Sequence, residues 1–378
     1  MIRSFIILLP LFVCASIAVE LLLKKKSRPR WCLLFWAATA TLLYACHAQF
    51  FFHVSFMDMW RHVAYVVCNL WVFPLFLIYI SELSEPRPLS RRPVVWALLA
   101  PGVVGGAAMA AVCCLMSEQE AADFMQQYLY HGSRDALSGY ALTASYVSLA
   151  CKVAFALEVA LTMILGARML WRYDSKLELY YADEDKYSLR KVRILLMLLC
   201  ITSLLSVMAN FVGRSAFVDS EWLLAVPALA FSAMLYFVGY VCIDLEPVDV
   251  LTQMSEIEEE EESLATEAPN ANLQLGENLN RLMDEEQIFL KPDLKLQDLA
   301  TALGTNRTYL LWHLRTEYGM TFSEFINRRR IAHARRLMQQ HPEWKKVRIA
   351  SASGYALGVT FYRNWKKYGE EQQDGETD

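Results

Sequence analysis

The residues of this sequence best suited to chemistry are the basic side chains that crowd its last part. Between Lys295 and Tyr368 the chain has 14 Lys or Arg residues and four Asp or Glu residues, a surplus of ten positive charges. A surplus of that size attracts nucleic-acid phosphates whatever the base sequence, because each neutralised phosphate releases condensed counterions. The charge of this region therefore favours nucleic acid as its partner.

Two charged residues, Lys152 and Glu158, lie inside a long apolar run. A charge placed in hydrocarbon is costly, so such residues are functional candidates by default. They are six positions apart and do not share a helix face, so we expect each to face the interior of a helix bundle with a different partner. Both are candidate sensor residues.

A second polar group gathers around a predicted turn between apolar runs and consists of His47, His53, Asp58 and His62. Imidazoles and a carboxylate can bind a metal ion or respond to pH near neutrality. Histidines are also common at membrane interfaces, and the spacing defines no set of four ligands. We predict no metal site and no cofactor, and we keep the four residues as sensor candidates.

The sequence shows no catalytic constellation. It has no P-loop, no G-x-S-x-G elbow, no H-E-x-x-H motif and no histidine-kinase phosphoacceptor context. All nine cysteines lie in apolar stretches without a C-x-x-C pair, which argues against a zinc site or a disulfide framework. We predict that the chain is not an enzyme.

The composition of the sequence indicates that its first part is a membrane domain. Hydrophobic residues make up 55% of the 378 residues, and the mean hydropathy is +0.24. A soluble protein is about 45–50% apolar even when Gly is counted, and a helix crosses a bilayer with about 20 apolar residues. Seven runs are long enough, so we predict a seven-helix transmembrane bundle embedded in a lipid bilayer. They are Ser4–Leu23, Trp31–Phe52, Trp60–Ile80, Val94–Met116, Ala144–Leu170, Ile194–Val212 and Trp222–Ile243.

The distribution of basic residues between these runs predicts their orientation. The first, third and fifth connections carry 15 Lys or Arg residues, and the opposite side carries four. Because Lys and Arg accumulate on the cytoplasmic side, we expect the N-terminus outside and the C-terminal region in the cytoplasm. The first run leads straight into Lys24, Lys25 and Lys26, which favours a stop-transfer signal over a cleaved signal peptide.

We divide the chain into a transmembrane domain at 1–243, an acidic flexible linker at 244–276, a basic domain at 277–369 and an acidic tail at 370–378. Between 244 and 283 there are 11 acidic residues and one basic residue, Arg281. Such a run repels itself and cannot bury a core. An alternative is that the acidic run docks on the basic domain and masks it.

The basic region has the pattern of short helices. Residues 295–319 indicate a helix, a turn at Gly304 and a second helix, and residues 346–369 repeat the plan with a turn at Gly354. Thr321 and Glu324 have the spacing of a capping box that opens a long helix from Phe322 to Gln340. The prediction is an all-α fold with two helix-turn-helix units joined by one long helix.

Many positions of this region have the spacing found in one family. They are Asp298–Ala300, Gly304–Leu310, Gly319, Phe325–Asn327, Arg330, Ile331, Ala334, Leu337, Ile349, Ala350, Gly354, Tyr355, Phe361, Arg363, Trp365 and Lys366. On these residues the region resembles the DNA-binding domain of AraC-type transcription regulators. With its apolar front, the chain is similar to membrane-bound AraC-type regulators. The resemblance implies sequence-specific binding to double-stranded promoter DNA, in the cytoplasmic membrane of a bacterium and with homodimerisation as an option.

The resemblance also implies which residues contact DNA. The base-reading candidates are Asn306, Arg307, Thr308, Trp312, Thr360 and Arg363. The phosphate-contacting candidates are Arg328, Arg329, Arg335, Arg336, Lys345, Lys346, Arg348, Lys366 and Lys367. Arg330 is expected to pack or pair within the domain. In the second helix-turn-helix, Ala356–Val359 replace a stretch that is usually polar. We therefore expect the first helix-turn-helix to read more of the bases.

Two other functions fit the same organisation. A membrane receptor or transporter could carry a degenerate helix-turn-helix domain that binds protein instead of DNA. A plain membrane anchor without sensing is the other alternative. If the chain is a regulator, its membrane domain would meet a signal or a partner protein that the sequence does not identify.

Overall fold

The computed structural model describes residues 2–48, 58–212, 221–245 and 273–369. The described residues form fourteen α-helices and no strand, with one isolated bridge between Tyr181 and Lys295. Predicted features that lie outside the described residues are His53, most of the linker 244–276 and the tail 370–378. The chain divides into two compact units. The first comprises Met1–Leu170 and Arg190–Pro247, and the second joins Trp171–Leu189 to the C-terminal part of the chain.

Apart from the short polar helix α5, the helices of the first unit follow the apolar runs of the sequence. They are α1 (Ile2–Leu23), α2 (Arg28–Ala48), α3 (Asp58–Ser84), α4 (Val94–Leu115), α5 (Glu118–Asp123), the N-terminal part of α6 (Gly139–Tyr180), α7 (Arg190–Val212) and α8 (Glu221–Cys242). A π-helix, Phe124–Tyr130, follows α5 directly. Five of the described helices, α1 to α4 and α6, are long and apolar enough to cross a membrane, and Ala228–Cys242 is a shorter apolar helix.

Small residues allow α3 and α4 to approach each other closely. A Cβ atom added at Gly106 would lie 2.3 Å from a methyl carbon of Val67, and one added at Gly102 would lie 2.4 Å from the indole of Trp71. Glycine at such positions is typical of helix contacts in membranes, where close backbone approach supplies the packing energy. The glycines of α4 therefore fix its contact with α3.

Helix α6 is longer than the predicted span Ala144–Leu170. It has 42 residues and continues to Tyr180, so a rise of about 1.5 Å per residue gives it a length of about 63 Å. The residues that follow Leu170 include good helix formers and neither Gly nor Pro, so nothing stops the helix where the apolar run ends. Its last turns belong to the second unit.

The second unit contains the rest of the helices. They are α9 (Leu273–Asp284), α10 (Leu296–Ala302), α11 (Arg307–Glu317), α12 (Phe322–Gln340), α13 (Lys346–Ala352) and α14 (Gly358–Tyr368). Helix α9 begins at Leu273, earlier than the expected start near Glu277. A core of Ile331, Ala334, Ile349, Tyr355 and Phe361 joins α12 to α13 and α14. Burial of this core holds the two ends of the basic region together.

Candidate nucleic-acid interface

The first helix pair, α10 and α11, is connected by a tight turn. Gly304 has φ +63°, a left-handed conformation that glycine adopts without strain. Asn306 is the N-cap of α11, and its side-chain oxygen accepts a hydrogen bond of 2.8 Å from the backbone N–H of Tyr309. Leu310 and Leu314 are fully buried. The pair thus has one face in the core and presents the start of α11 to solvent.

The base-reading candidates of α11 differ in their exposure. Asn306 is exposed, Arg307 and Thr308 are half-buried, and Trp312 is 37% exposed. The cap occupies the single side-chain oxygen of Asn306, which reduces the freedom of this residue to read a base. The hydroxyl of Thr308 is buried and has no hydrogen-bond partner among the described residues. Arg307 and Trp312 are therefore the better candidates of this helix.

The sequence reasoning did not include Arg315. This residue is exposed and lies three positions after Trp312, on the same face of α11. The signal that could have found it is the helical spacing 308, 312, 315. Arg315 extends the basic surface of α11 beyond the first turn of the helix.

Helix α12 has the bounds that the capping signal predicted, Phe322 to Gln340. The hydroxyl of Thr321 accepts from the backbone N–H of Glu324, which is half of the predicted box. The carboxylate of Glu324 instead accepts from Arg328 at 3.0 and 3.1 Å. With 19 residues the helix is about 28 Å long, close to the spacing of about 34 Å between successive major-groove faces.

The arginines of α12 are unequal as phosphate contacts. Arg328 pairs with Glu324, and the Arg329 guanidinium lies 3.9 Å from the ring centre of Phe325. Burial lowers the pKa of Arg329, although the group stays charged. Arg335 lies 6.0 Å from the ring centre of Trp365, and Arg336 is exposed. Arg336 is therefore the most accessible of the four.

The remaining phosphate candidates lie on the surface around the second helix pair. Those that are exposed are Lys345, Lys346, Arg348, Lys366 and Lys367. The guanidinium of Arg348 lies 4.0 Å from the ring centre of Trp344, which holds it in place. These residues surround the ends of α13 and α14 with positive charge.

The second helix pair, α13 and α14, turns at Gly354. Its φ is +83°, and an added Cβ would lie 2.8 Å from the carbonyl oxygen of Leu290, so glycine is required there. The outward face of α14 carries Val359, which is 76% exposed, and Tyr362, which is 50% exposed.

The expectation that Thr360 lies on the exposed face of α14 is wrong. Its side chain is fully buried, and its hydroxyl has no hydrogen-bond partner among the described residues. The reason is helical spacing, because Thr360 lies four residues before Asn364, which is also buried. Thr360 therefore belongs to the core and does not offer its hydroxyl to DNA.

The other candidate of α14, Arg363, already has anionic partners. Its guanidinium donates to the carboxylates of Glu184 and Asp185, and its side chain is 36% exposed. Both acidic residues belong to the connection between α6 and α7, which is part of the second unit. We call residues 181–186 of this connection the docking segment.

The docking segment is held by buried contacts with the basic region. The Ala182 N–H donates to the carbonyl of Leu294 at 3.1 Å, and the Asn327 amide donates to the carbonyl of Ala182 at 2.9 Å. The Arg330 guanidinium donates to Asp183 at 3.0 Å, and the exposed fractions of the two side chains are 0% and 2%. Arg330 is buried as expected, but its carboxylate partner lies outside residues 277–369.

The partner of Arg330 could not have been named from the sequence. Asp183 is 147 residues away from it and was assigned to the transmembrane domain. The available signal was the run Asp183, Glu184, Asp185 inside an otherwise basic connection. The masking of basic residues by acids had been considered only for the linker 244–276.

The sensor candidates of the first unit have separate surroundings. The ammonium of Lys152 lies 5.0 Å from the ring centre of Tyr128, and Glu158 is buried, with no hydrogen-bond partner for its carboxylate among the described residues. The imidazoles of His47 and His62 both stack on the ring of Tyr65, at 6.0 and 5.9 Å.

The described members of the histidine group do not form a metal site. Within the described ranges, no three His, Cys, Asp or Glu side chains are close enough to hold a metal ion. Asp58 begins helix α3, and His53 is outside the description. The arrangement around Tyr65 is an aromatic stack of imidazoles.

Comparison with known families supports the geometry of the basic region. Residues 299–371, about a fifth of the chain, match the family model described as a helix-turn-helix domain. Comparisons with curated proteins and with solved structures find no match. Short helix pairs with glycine turns, basic surfaces and this family match lead to one conclusion. The chain carries an AraC-type helix-turn-helix domain at residues 299–371.

Proposed function

We propose that this protein is a membrane-anchored, one-component transcription regulator that binds promoter DNA. The observation that carries the proposal is the AraC-type helix-turn-helix domain, whose helix α11 carries Arg307, Trp312 and Arg315. Helices of this kind enter the major groove and contact base edges with residues near their start. Helices α11 and α14 are the two reading helices of this proposal.

The membrane domain is the second part of the proposal. Five described helices have the length and composition of spans, and α7 and α8 supply the other two of a seven-span bundle. The excess of basic residues in the odd connections favours an external N-terminus and a cytoplasmic DNA-binding domain. The bundle anchors the regulator and meets its signal, with Lys152, Glu158 and the histidine group as sensor candidates.

The alternative of a receptor that binds protein through this domain has less support. A surplus of ten positive charges over 295–368 suits a polyanion, because each neutralised phosphate releases condensed counterions.

Crosslinking in the cell of origin tests both parts at once. We expect DNA crosslinked to the tagged full chain to be recovered from the membrane fraction and to be enriched upstream of genes. An Arg307→Ala chain, present at the same level, should lose most of the enrichment because its reading helix lacks a base-contacting group. Recovery of DNA only from the soluble fraction would contradict membrane anchoring, and recovery without enrichment would contradict promoter recognition.

A further inference from the structure

Arg363 occupies the outward part of α14 and yet is bound to two carboxylates of the same chain. Both ion pairs are partly buried, with exposed fractions of 36% for Arg363, 17% for Glu184 and 20% for Asp185. Carboxylates and phosphates are recognised by a guanidinium through the same paired, charge-assisted hydrogen bonds. The acidic pair thus takes the place that a DNA phosphate or a base edge would take at this residue.

The docking segment contacts the basic region through two parts that are held differently. The first part is Ala182 and Asp183, which are buried and held by Asn327 and Arg330. In the second part, one oxygen of Glu184 and one of Asp185 are buried without a hydrogen-bond partner among the described residues. Glu184 and Asp185 are also 17% and 20% exposed, against 2% for Asp183, so the acidic pair is held less firmly than its anchor.

The docking segment is also continuous with predicted spans. It directly follows α6, which runs from Gly139 to Tyr180, and α7 begins at Arg190. A displacement of either helix end is therefore transmitted along the chain to Glu184 and Asp185 over a few residues. The docking segment is part of Trp171–Leu189, the stretch of the second unit that lies between two predicted spans.

We propose that Glu184 and Asp185 are an autoinhibitory gate that occupies Arg363 and competes with DNA for the second reading helix. The inference rests on the proposed function and names its regulation. In the closed state DNA binds through α11 and the phosphate contacts alone. When the ends of α6 and α7 move, the acidic pair leaves Arg363, and α14 joins the interface.

Charge reversal is the change that tests the gate. Burial raises the pKa of Glu184, which shows that its desolvation outweighs its attraction to Arg363. A neutral Gln would therefore change the contact less than a Lys, which repels Arg363. We expect Glu184→Lys/Asp185→Lys in the full chain, reconstituted in nanodiscs, to bind a random-sequence duplex more tightly. The affinity for the duplex should rise about fivefold relative to a matched control. That is the effect expected from the loss of two partly exposed ion pairs.

The matched control is Glu285→Lys/Glu286→Lys. These two residues are adjacent, exposed and acidic, lie in the same unit, and have no contact with Arg363 among those described. The control adds the same charge and therefore the same general attraction to phosphate. In an Arg363→Ala background the excess of the gate variant over the control should disappear. The milder pair Glu184→Gln/Asp185→Asn should give a smaller gain in the same direction and guards against misfolding of the reversed variant.

The outcomes separate the gate from the proposed function. Duplex binding by the wild type, with equal gains from the gate and control variants, would overturn the gate and leave the function intact. An excess that persists in the Arg363→Ala background would also overturn it. Lack of binding by every variant would overturn the proposed function and the gate together. Binding by the gate variant alone would support both.

Discussion

The Arg330→Ala variant is expected to lower the free energy of unfolding of the second unit by about 3–5 kcal/mol. The change leaves the buried carboxylate of Asp183 without its cation. It also removes the donors to the carbonyls of Phe289 and Lys291, which accept from Arg330 at 2.7 and 2.9 Å. The measurement is native-state hydrogen exchange of the amides of α12 in the full chain, because exchange from a stable core reports its opening free energy.

The control for this prediction is Arg336→Ala, an exposed arginine of the same helix. A surface substitution of this kind changes stability by about 0.5 kcal/mol or less. Asp183→Ala should resemble Arg330→Ala, and the double variant should cost much less than the sum because the two residues share one interaction. Equal exchange in Arg330→Ala and Arg336→Ala would show that the docking segment does not stabilise this unit.

The Arg307→Ala variant is expected to weaken binding to the promoter duplex by about 10-fold to 100-fold. The reason is that an arginine at the start of a reading helix can donate two hydrogen bonds to one guanine, and alanine leaves that base edge unread. The loss on a shuffled duplex should be much smaller. The measurement is the pair of dissociation constants of the full chain for the recovered promoter duplex and its shuffled version.

Lys346→Ala is the matched comparison for Arg307→Ala. Lys346 is exposed on α13, and its contact with phosphate carries no sequence information. Lys346→Ala should weaken binding to the promoter duplex and to the shuffled duplex by similar factors. If Arg307→Ala also weakens both duplexes equally, then α11 does not read bases, and the sequence preference of the chain arises elsewhere.

Local signals in the sequence predicted the local structure well. The cap at Thr321 and the apolar spacing predicted α12 from Phe322 to Gln340, and glycine marked the turns at Gly304 and Gly354. Both kinds of signal act within one or two turns of chain, so they can be found without knowledge of the fold. The prediction failed for Thr360, although its spacing of four residues from the buried Asn364 places it on the buried face of α14.

The partners of the arginines could not be predicted in this way. Arg330 and Arg363 belong to the same basic pattern as the phosphate candidates, yet both pair with residues 147 to 179 positions away. A contact at that separation depends on tertiary structure and leaves no periodic trace. The only trace was compositional, the run Asp183 to Asp185 in a basic connection, and its position between predicted spans assigned it to the wrong domain.

A salt titration of duplex binding tests the central claim most directly. The full chain in nanodiscs, as wild type and as Glu184→Lys/Asp185→Lys, is titrated with labelled duplex between low and physiological salt. We predict a dissociation constant that rises steeply and linearly on a log–log scale, and a slope that Lys346→Ala lowers by about one. Binding that does not depend on salt, or the lack of duplex binding by both proteins at low salt, would contradict a DNA-binding regulator.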